Sequence, residues 1–299
     1  MSDEPTPKRD AFWLYLGLSL SLTWLCWIPA LIIAEQQGYT LPTMANRITF
    51  GGFVNQQHRL LSTVFNLGAY GPLIAGVIVT TLEQGTSGLV DLLKRTIKWR
   101  IAPHWYVKVL LITLAMPVVP FLLASVWGSV HPWETLAATL LPGGLLLLRQ
   151  LFTSGLGEEP GWRGYMLPRL QHRYPNEKAI WIAGFFWALW HYPLTIQSAL
   201  LMMNGEAPPI AMLITILVSL AGQTISLMGM SFIYTWLYNH TQSVLLTIVF
   251  HALSNTMSSI FAVSDNPMFG IMTAAMPWLV IMVLEKLYGK EQFPGAAPQ

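Results

Sequence analysis

Long apolar runs recur along this chain, and they leave few folds open to it. A helix that crosses a membrane needs roughly 20 mostly apolar residues. Runs of about that length fall at about 12–34, 64–82, 106–127, 135–157, 178–200, 209–238, 243–263 and 268–287. In hydrocarbon each backbone amide must find its partner within the segment, so these runs predict helices. Composition agrees: 54% of residues are hydrophobic and 10% charged, against roughly 25% charged in soluble domains. The expected fold class is an all-α polytopic membrane protein of about eight transmembrane helices. One transmembrane domain would cover 12–288, with its functional core at about 150–260 and short tails at 1–11 and 289–299. The longest run, 209–238, is open to two readings, one tilted helix or a helix broken near Gly229. The first run exceeds the roughly 7–15 apolar residues of a signal peptide, which predicts a retained span.

Charge sets the expected orientation. Thirteen of the sixteen Lys and Arg fall in loops on one face or at its edge, leaving Arg47 and Arg59 opposite and Arg149 inside a run. An excess of cations marks the cytoplasmic side, so both termini are expected in the cytoplasm, in a plasma membrane of bacterial inner-membrane type. The lipid bilayer is therefore the first expected partner. A formal charge of +2 does not suggest nucleic acid. The single cysteine, Cys26, rules out an internal disulfide or a cysteine-based metal cluster. Between the second and third runs, four cations mixed with Leu, Ile and Trp predict an amphipathic helix lying on the lipid surface. Residues 35–62 read as an outer loop without chemistry, and the Pro- and Gly-containing tail from 289 reads as disordered.

Ionisable groups are costly in a bilayer, so each one in or beside a span is a functional candidate. Glu158 and Glu159 close the fourth run. On a helix, Glu159 and Arg163 share a face while Glu158 points about 100° away, so Glu159 can orient Arg163 and leave Glu158 free to act. Pro160 between them either kinks this helix or starts a new one. His191 lies near mid-depth in the fifth run, with Trp187 one turn before it. His251 and Asn255 lie near mid-depth in the seventh, four apart on one face. Each site has an ordinary alternative: a solvated helix end with a surface ion pair for the glutamates, and an interhelical hydrogen bond for His191. Together, two carboxylates, two histidines and an asparagine form a plausible acid, base and oxyanion set.

Three motifs carry a resemblance. EEPGWR at 158–163 matches EExxxR, WALWH at 187–191 matches FxxxH with Trp in place of Phe, and HALSN at 251–255 matches HxxxN. In this order on separate apolar segments, they resemble the CPBP family of CAAX prenyl proteases and bacteriocin-processing enzymes, also called the Abi or type II CAAX endopeptidase family. The resemblance implies an intramembrane endopeptidase acting on a membrane-associated peptide or protein, with a prenylated CAAX protein or a leader peptide as substrate. Glu158 would be the general base on a water, His191 would help to position that water, and His251 and Asn255 would donate to the oxyanion. Glu159 and Arg163 would hold the site in shape, and Trp187 would pack near the substrate.

Family members are often labelled metalloproteases, and Glu158, His191 and His251 could hold zinc in a three-ligand open site. The wide spacing of the histidines favours the metal-free reading, because neither lies in a close His/Glu ligand motif. Two rivals fit the same composition. A proton-coupled transporter would place Glu, His and Arg in its core but would usually show matching halves, and no repeat is visible. A non-catalytic scaffold or immunity-type membrane protein would keep the helices and tolerate loss of Glu158.

Overall fold

The computed structural model describes residues 11–43, 46, 50–126, 140–203, 207–261, 267–289 and 293–296. The expected N-terminal tail before Ala11, Arg47, and the start of the 135–157 run lie outside the described residues. The apolar runs form helices: α1 (Phe12–Gln36), α2 (Gln56–Leu67), α3 (Gly71–Thr96), α4 (His104–Ala124) and α5 (Leu140–Gln150). Two short helices follow, α6 (Leu156–Gly161) and α7 (Leu167–Arg173), separated from α5 and from each other by π-helical turns at Leu151–Gly155 and Trp162–Met166. Then come α8 (Asn176–Met202), α9 (Pro209–Thr241), α10 (Val244–Phe261) and α11 (Pro267–Tyr288).

The protein is an all-α, multi-pass membrane protein, and among the described residues seven helical segments are long and apolar enough to cross a bilayer. The fourth expected run is the one without such a helix, because its described part is broken by the π turn after Gln150. α10 is the innermost span, packed against α4, α5 and α9. α8 and α9 run antiparallel, with Ser231 bonded to the Ile180 carbonyl at one end and Tyr192 to Thr224 at the other.

The structure decides one open reading and corrects another expectation. α9 is unbroken from Pro209 to Thr241, and Gly229 serves instead as a gap into which Pro277 and Trp278 of α11 fit. The basic segment after the second run is helical, as expected, and is set off from the first part of α3 by a break at Gly85, whose φ of 62° is a conformation that glycine adopts without strain. Beyond the bend Leu92 is buried and Arg95 reaches inward, so this stretch is part of the packed structure. The tail is not wholly disordered either: Phe293 is buried, and the Gly295 carbonyl accepts from Asn176 and Asn239.

One end of the bundle gathers cations. Arg95 donates to Tyr238, Lys98 to the Thr241 carbonyl, and Lys108 lies over the rings of Trp105 and Trp236. Glu83 ties the same end together by accepting from the backbone of Ala11, the Tyr165 hydroxyl and Arg169. Burial and the Glu83 carboxylate push the Tyr165 phenol well above its usual range, which keeps it a donor.

Two contacts place the glutamates. GEEPG at 157–161 is a G-x-x-x-G pattern, which lets helix backbones approach closely. A Cβ on Gly157 would sit 2.6 Å from the Ala69 carbonyl oxygen, one on Gly76 would sit 3.2 Å from the Gly161 Cα, and one on Gly161 would strike the Pro72 carbonyl. α6 therefore lies directly on α3. The second contact fixes α1 to α8: Trp190 donates to the Thr23 hydroxyl at 2.7 Å, Trp24 donates to the Trp190 carbonyl at 3.0 Å, and Thr23 donates to the Gly68 carbonyl at 2.8 Å. Gly161→Ala is expected to destabilise the protein by about 1–3 kcal/mol through overpacking, read as a lower melting temperature in detergent. Gly144→Ala, inside α5 where an added Cβ meets nothing within 4 Å, should not lower it.

Candidate active site

The segment that carries the glutamates departs from a regular helix for a local reason. Pro160 has no N–H to give the Leu156 carbonyl, and the chain widens into π turns on both sides of α6. Such turns free carbonyls, and side chains from the preceding elements satisfy two of them. Tyr70 donates to the Phe152 carbonyl at 2.6 Å and Arg95 to the Gly164 carbonyl at 2.8 Å. The result is a short rigid helix held on α3, with its carboxylates turned into the bundle.

Five charged or polar side chains meet there with almost no access to solvent: Glu158 (3% exposed), Glu159 (0%), Arg163 (3%), Trp187 (3%) and His251 (3%). Glu159 Oε1 is the junction. It accepts from Arg163 Nη1 at 3.1 Å and from His251 Nδ1 at 2.8 Å. Glu159 thus has a second partner beyond the Arg163 of its own segment. Because a carboxylate only accepts, the proton lies on His251 Nδ1, and Nε2 faces Glu158 Oε1 at 3.7 Å. The other Glu158 oxygen, Oε2, accepts from the indole Nε1 of Trp187 at 2.9 Å. The Arg163 guanidinium lies over Trp187 and Tyr234, 4.3 and 4.0 Å from the ring centroids, so its charge is shared between Glu159 and two π faces.

The remaining expected residues stand at the edge of this cluster. His191 is half-buried, and its Nδ1 donates to the Trp187 carbonyl at 2.9 Å. In the neutral ring this leaves Nε2 as the acceptor. Its ring packs edge-on against Trp190 at 4.6 Å and Trp187 at 5.9 Å. Asn255, also half-buried, donates to the Ser154 hydroxyl at 3.1 Å, and Ser154 donates to Gln150 Oε1 at 2.8 Å. The structure therefore brings Glu158, Glu159, Arg163, Trp187 and His251 into mutual contact and attaches His191 through Trp187. Asn255, one turn beyond His251, meets Ser154, one turn before Glu158, on a polar chain of its own.

Sequence reasoning missed three participants. Gln150 and Ser154 precede Glu158 at intervals of four in an apolar run, which was the available signal. Tyr234 gives none, since an aromatic in a long span reads as packing.

Comparison with known proteins bears on this segment. Residues 139–257 match the family model described as type II CAAX prenyl endopeptidase Rce1-like. The match holds every side chain of the cluster and its edge. Over 150 residues the chain is 33% identical to CAAX prenyl protease 2 of Methanococcus maripaludis. That alignment covers 50% of this chain and 50% of the relative, so the chain spans about half the length of the curated relative it matches. Both findings support the CPBP family.

Removing one partner of a buried ion pair leaves an uncompensated charge and costs about 3–5 kcal/mol. Arg163→Ala should therefore lower the melting temperature markedly in detergent. Adding Glu159→Gln to it should recover part of the loss, because the stranded carboxylate is then neutral.

Proposed function

We propose that this chain is a CPBP-family intramembrane endopeptidase that hydrolyses a peptide bond in a membrane-associated substrate, with a prenylated CAAX-type protein as the first candidate. The observation that carries this reading is the environment of Glu158. It is a buried carboxylate with one oxygen held by an indole N–H and the other turned toward a histidine nitrogen 3.7 Å away. A water bonded to Oε1 beside that nitrogen would be within reach of the base.

In the proposed reaction Glu158 Oε1 takes a proton from water as the water oxygen adds to the scissile carbonyl carbon. The carbonyl π pair moves to oxygen and gives a tetrahedral oxyanion. Donors aimed at such an oxyanion contribute about 3 kcal/mol each. Asn255 keeps one amide N–H beyond the one given to Ser154. His251, with Nδ1 given to Glu159, donates through Nε2 when it is an imidazolium. On collapse the C=O re-forms, the C–N bond breaks, and the proton held by Glu158 passes to the leaving nitrogen. His191 Nε2 would accept from the water and orient it. Glu159 would hold the His251 tautomer, as a buried carboxylate does for the histidine of a catalytic triad.

Among the described residues no three His, Cys, Asp or Glu side chains stand close enough to share a metal ion. His251 Nδ1 is bonded to Glu159 and His191 Nδ1 to a backbone carbonyl, while Glu158 Oε2 takes the indole. These bonds leave Glu158 Oε1 and the Nε2 atoms of His191 and His251 available, with each Nδ1 anchored as it is in metal-binding histidines; zinc held there would polarise the water, and the proposed reaction assigns every step to the chain's own residues. The cation-rich end of the bundle would face the cytoplasm by the positive-inside rule, which would let a cytoplasmic substrate reach the site from that side.

Glu158→Gln keeps an oxygen for the indole but cannot take a proton. Cleavage of prenylated CAAX peptides by the reconstituted protein should fall by about 10²–10⁴-fold, and full cleavage by this variant would remove the enzyme reading. Treatment with a chelator should leave turnover within about twofold, since the proposed base is a carboxylate whose protonation needs no metal. Activity lost on chelation and regained with zinc would sink the metal-free mechanism.

A further inference from the structure

We propose that Trp187 is the positioning residue for the general base: its indole N–H fixes one oxygen of Glu158 and thereby selects the other as the reactive one. This rests on the proteolytic reading above, but it begins from a detail which that reading does not need. The position is occupied by Phe in the FxxxH pattern, and Phe has nothing to donate.

A carboxylate on an ethylene stem turns freely about its last torsion, so its two oxygens exchange places unless something distinguishes them. Here the distinction is made by a single donor. Trp187 Nε1 lies 2.9 Å from Oε2, and Oε1 is left toward His251 Nε2 at 3.7 Å. An indole N–H only donates, so the contact cannot reverse. Hydrogen bonds to an ionised acceptor are roughly twice as strong as neutral ones.

The donor is itself held firmly. The guanidinium of Arg163 covers one ring face at 4.3 Å, while Tyr234 and His251 meet the ring at steep angles with centroids 5.2 and 5.9 Å away. The backbone of the same residue accepts from His191 Nδ1 at 2.9 Å. Trp187 is therefore placed between the base and His191, joined to the first by its side chain and to the second by its carbonyl. Bulk alone would explain the ring contacts. It does not explain why the one polar atom of the ring meets Glu158.

The test separates the N–H from the bulk. The full-length protein in nanodiscs would carry Trp187→Phe or, by suppression, 3-benzothienylalanine at 187, which replaces the indole N–H by sulfur and keeps the shape. Both variants are expected to lose about 10-fold or more in kcat on a cleaved peptide, as removal of a hydrogen bond to a charged group implies. KM should stay within about twofold, since the interaction acts on the base and not on substrate binding. A benzothienyl variant with the kcat of the parent would overturn the proposal and assign Trp187 to packing.

A second measurement does not depend on cleavage. With 15N-labelled indoles, the Nε1–H resonance of Trp187, identified by its loss in Trp187→Phe, should lie downfield and move upfield in Glu158→Ala. A resonance that stays in place would disprove the contact whatever the protein cleaves. If it moves in a protein that cleaves no peptide, the contact is upheld and the proteolytic reading falls.

Discussion

The structure turns on one oxygen atom. Glu159 Oε1 is fully buried and receives both the Arg163 guanidinium and the His251 imidazole. A carboxylate taken out of water needs strong partners, since its desolvation otherwise outweighs what the fold gains. Arg163 comes from the same short segment and would form in any helical arrangement of the chain. His251 comes from 92 residues further on, and its arrival joins the segment with the glutamates to the innermost span. Among the described residues Glu159 Oε2 has no hydrogen-bond partner, and both contacts of the carboxylate converge on Oε1.

That junction can form only because the backbone permits it. The glycines at 157 and 161 let α6 lie on the carbonyls of Ala69 and Pro72, and π turns flank it on either side. Extra residues of this kind are frequent at functional sites. Here their freed carbonyls are taken up by Tyr70 and Arg95, so the distortion is supported from α3 and does not depend on ligand.

Much of this was legible beforehand, and the omissions have physical reasons. The apolar runs predict helices because lipid allows little else, and the spacing of Glu159 and Arg163 predicts their pairing. The second partner of Glu159 was not legible, since nothing in the spacing of residues 159 and 251 says that two distant helices touch. Trp187 was read as packing because an aromatic in a span usually packs, yet a buried indole N–H usually takes an acceptor, and the nearby carboxylate was one. The tail was read as disordered from its Pro and Gly, although Phe293 among them is a large apolar group with reason to bury. The stretch beyond Gly85 reads as an amphipathic surface helix, and what was not legible is that Arg95 turns inward, because the carbonyl it meets is freed by a π turn.

The tie between α1 and α8 also bears on how the chain is assembled. Thr23 and Trp24 enter the membrane with the first span, but two of their partnerships depend on Trp190, 167 and 166 residues later. Until α8 is synthesised, the Trp24 indole and part of the bonding capacity of the Thr23 hydroxyl have no native partner in the bilayer. α1 is thus completed only when α8 arrives, and it closes on the span that bears His191. An insertion factor that shelters polar groups of early spans would act on this protein at α1, and a chain truncated before α8 would keep those groups waiting.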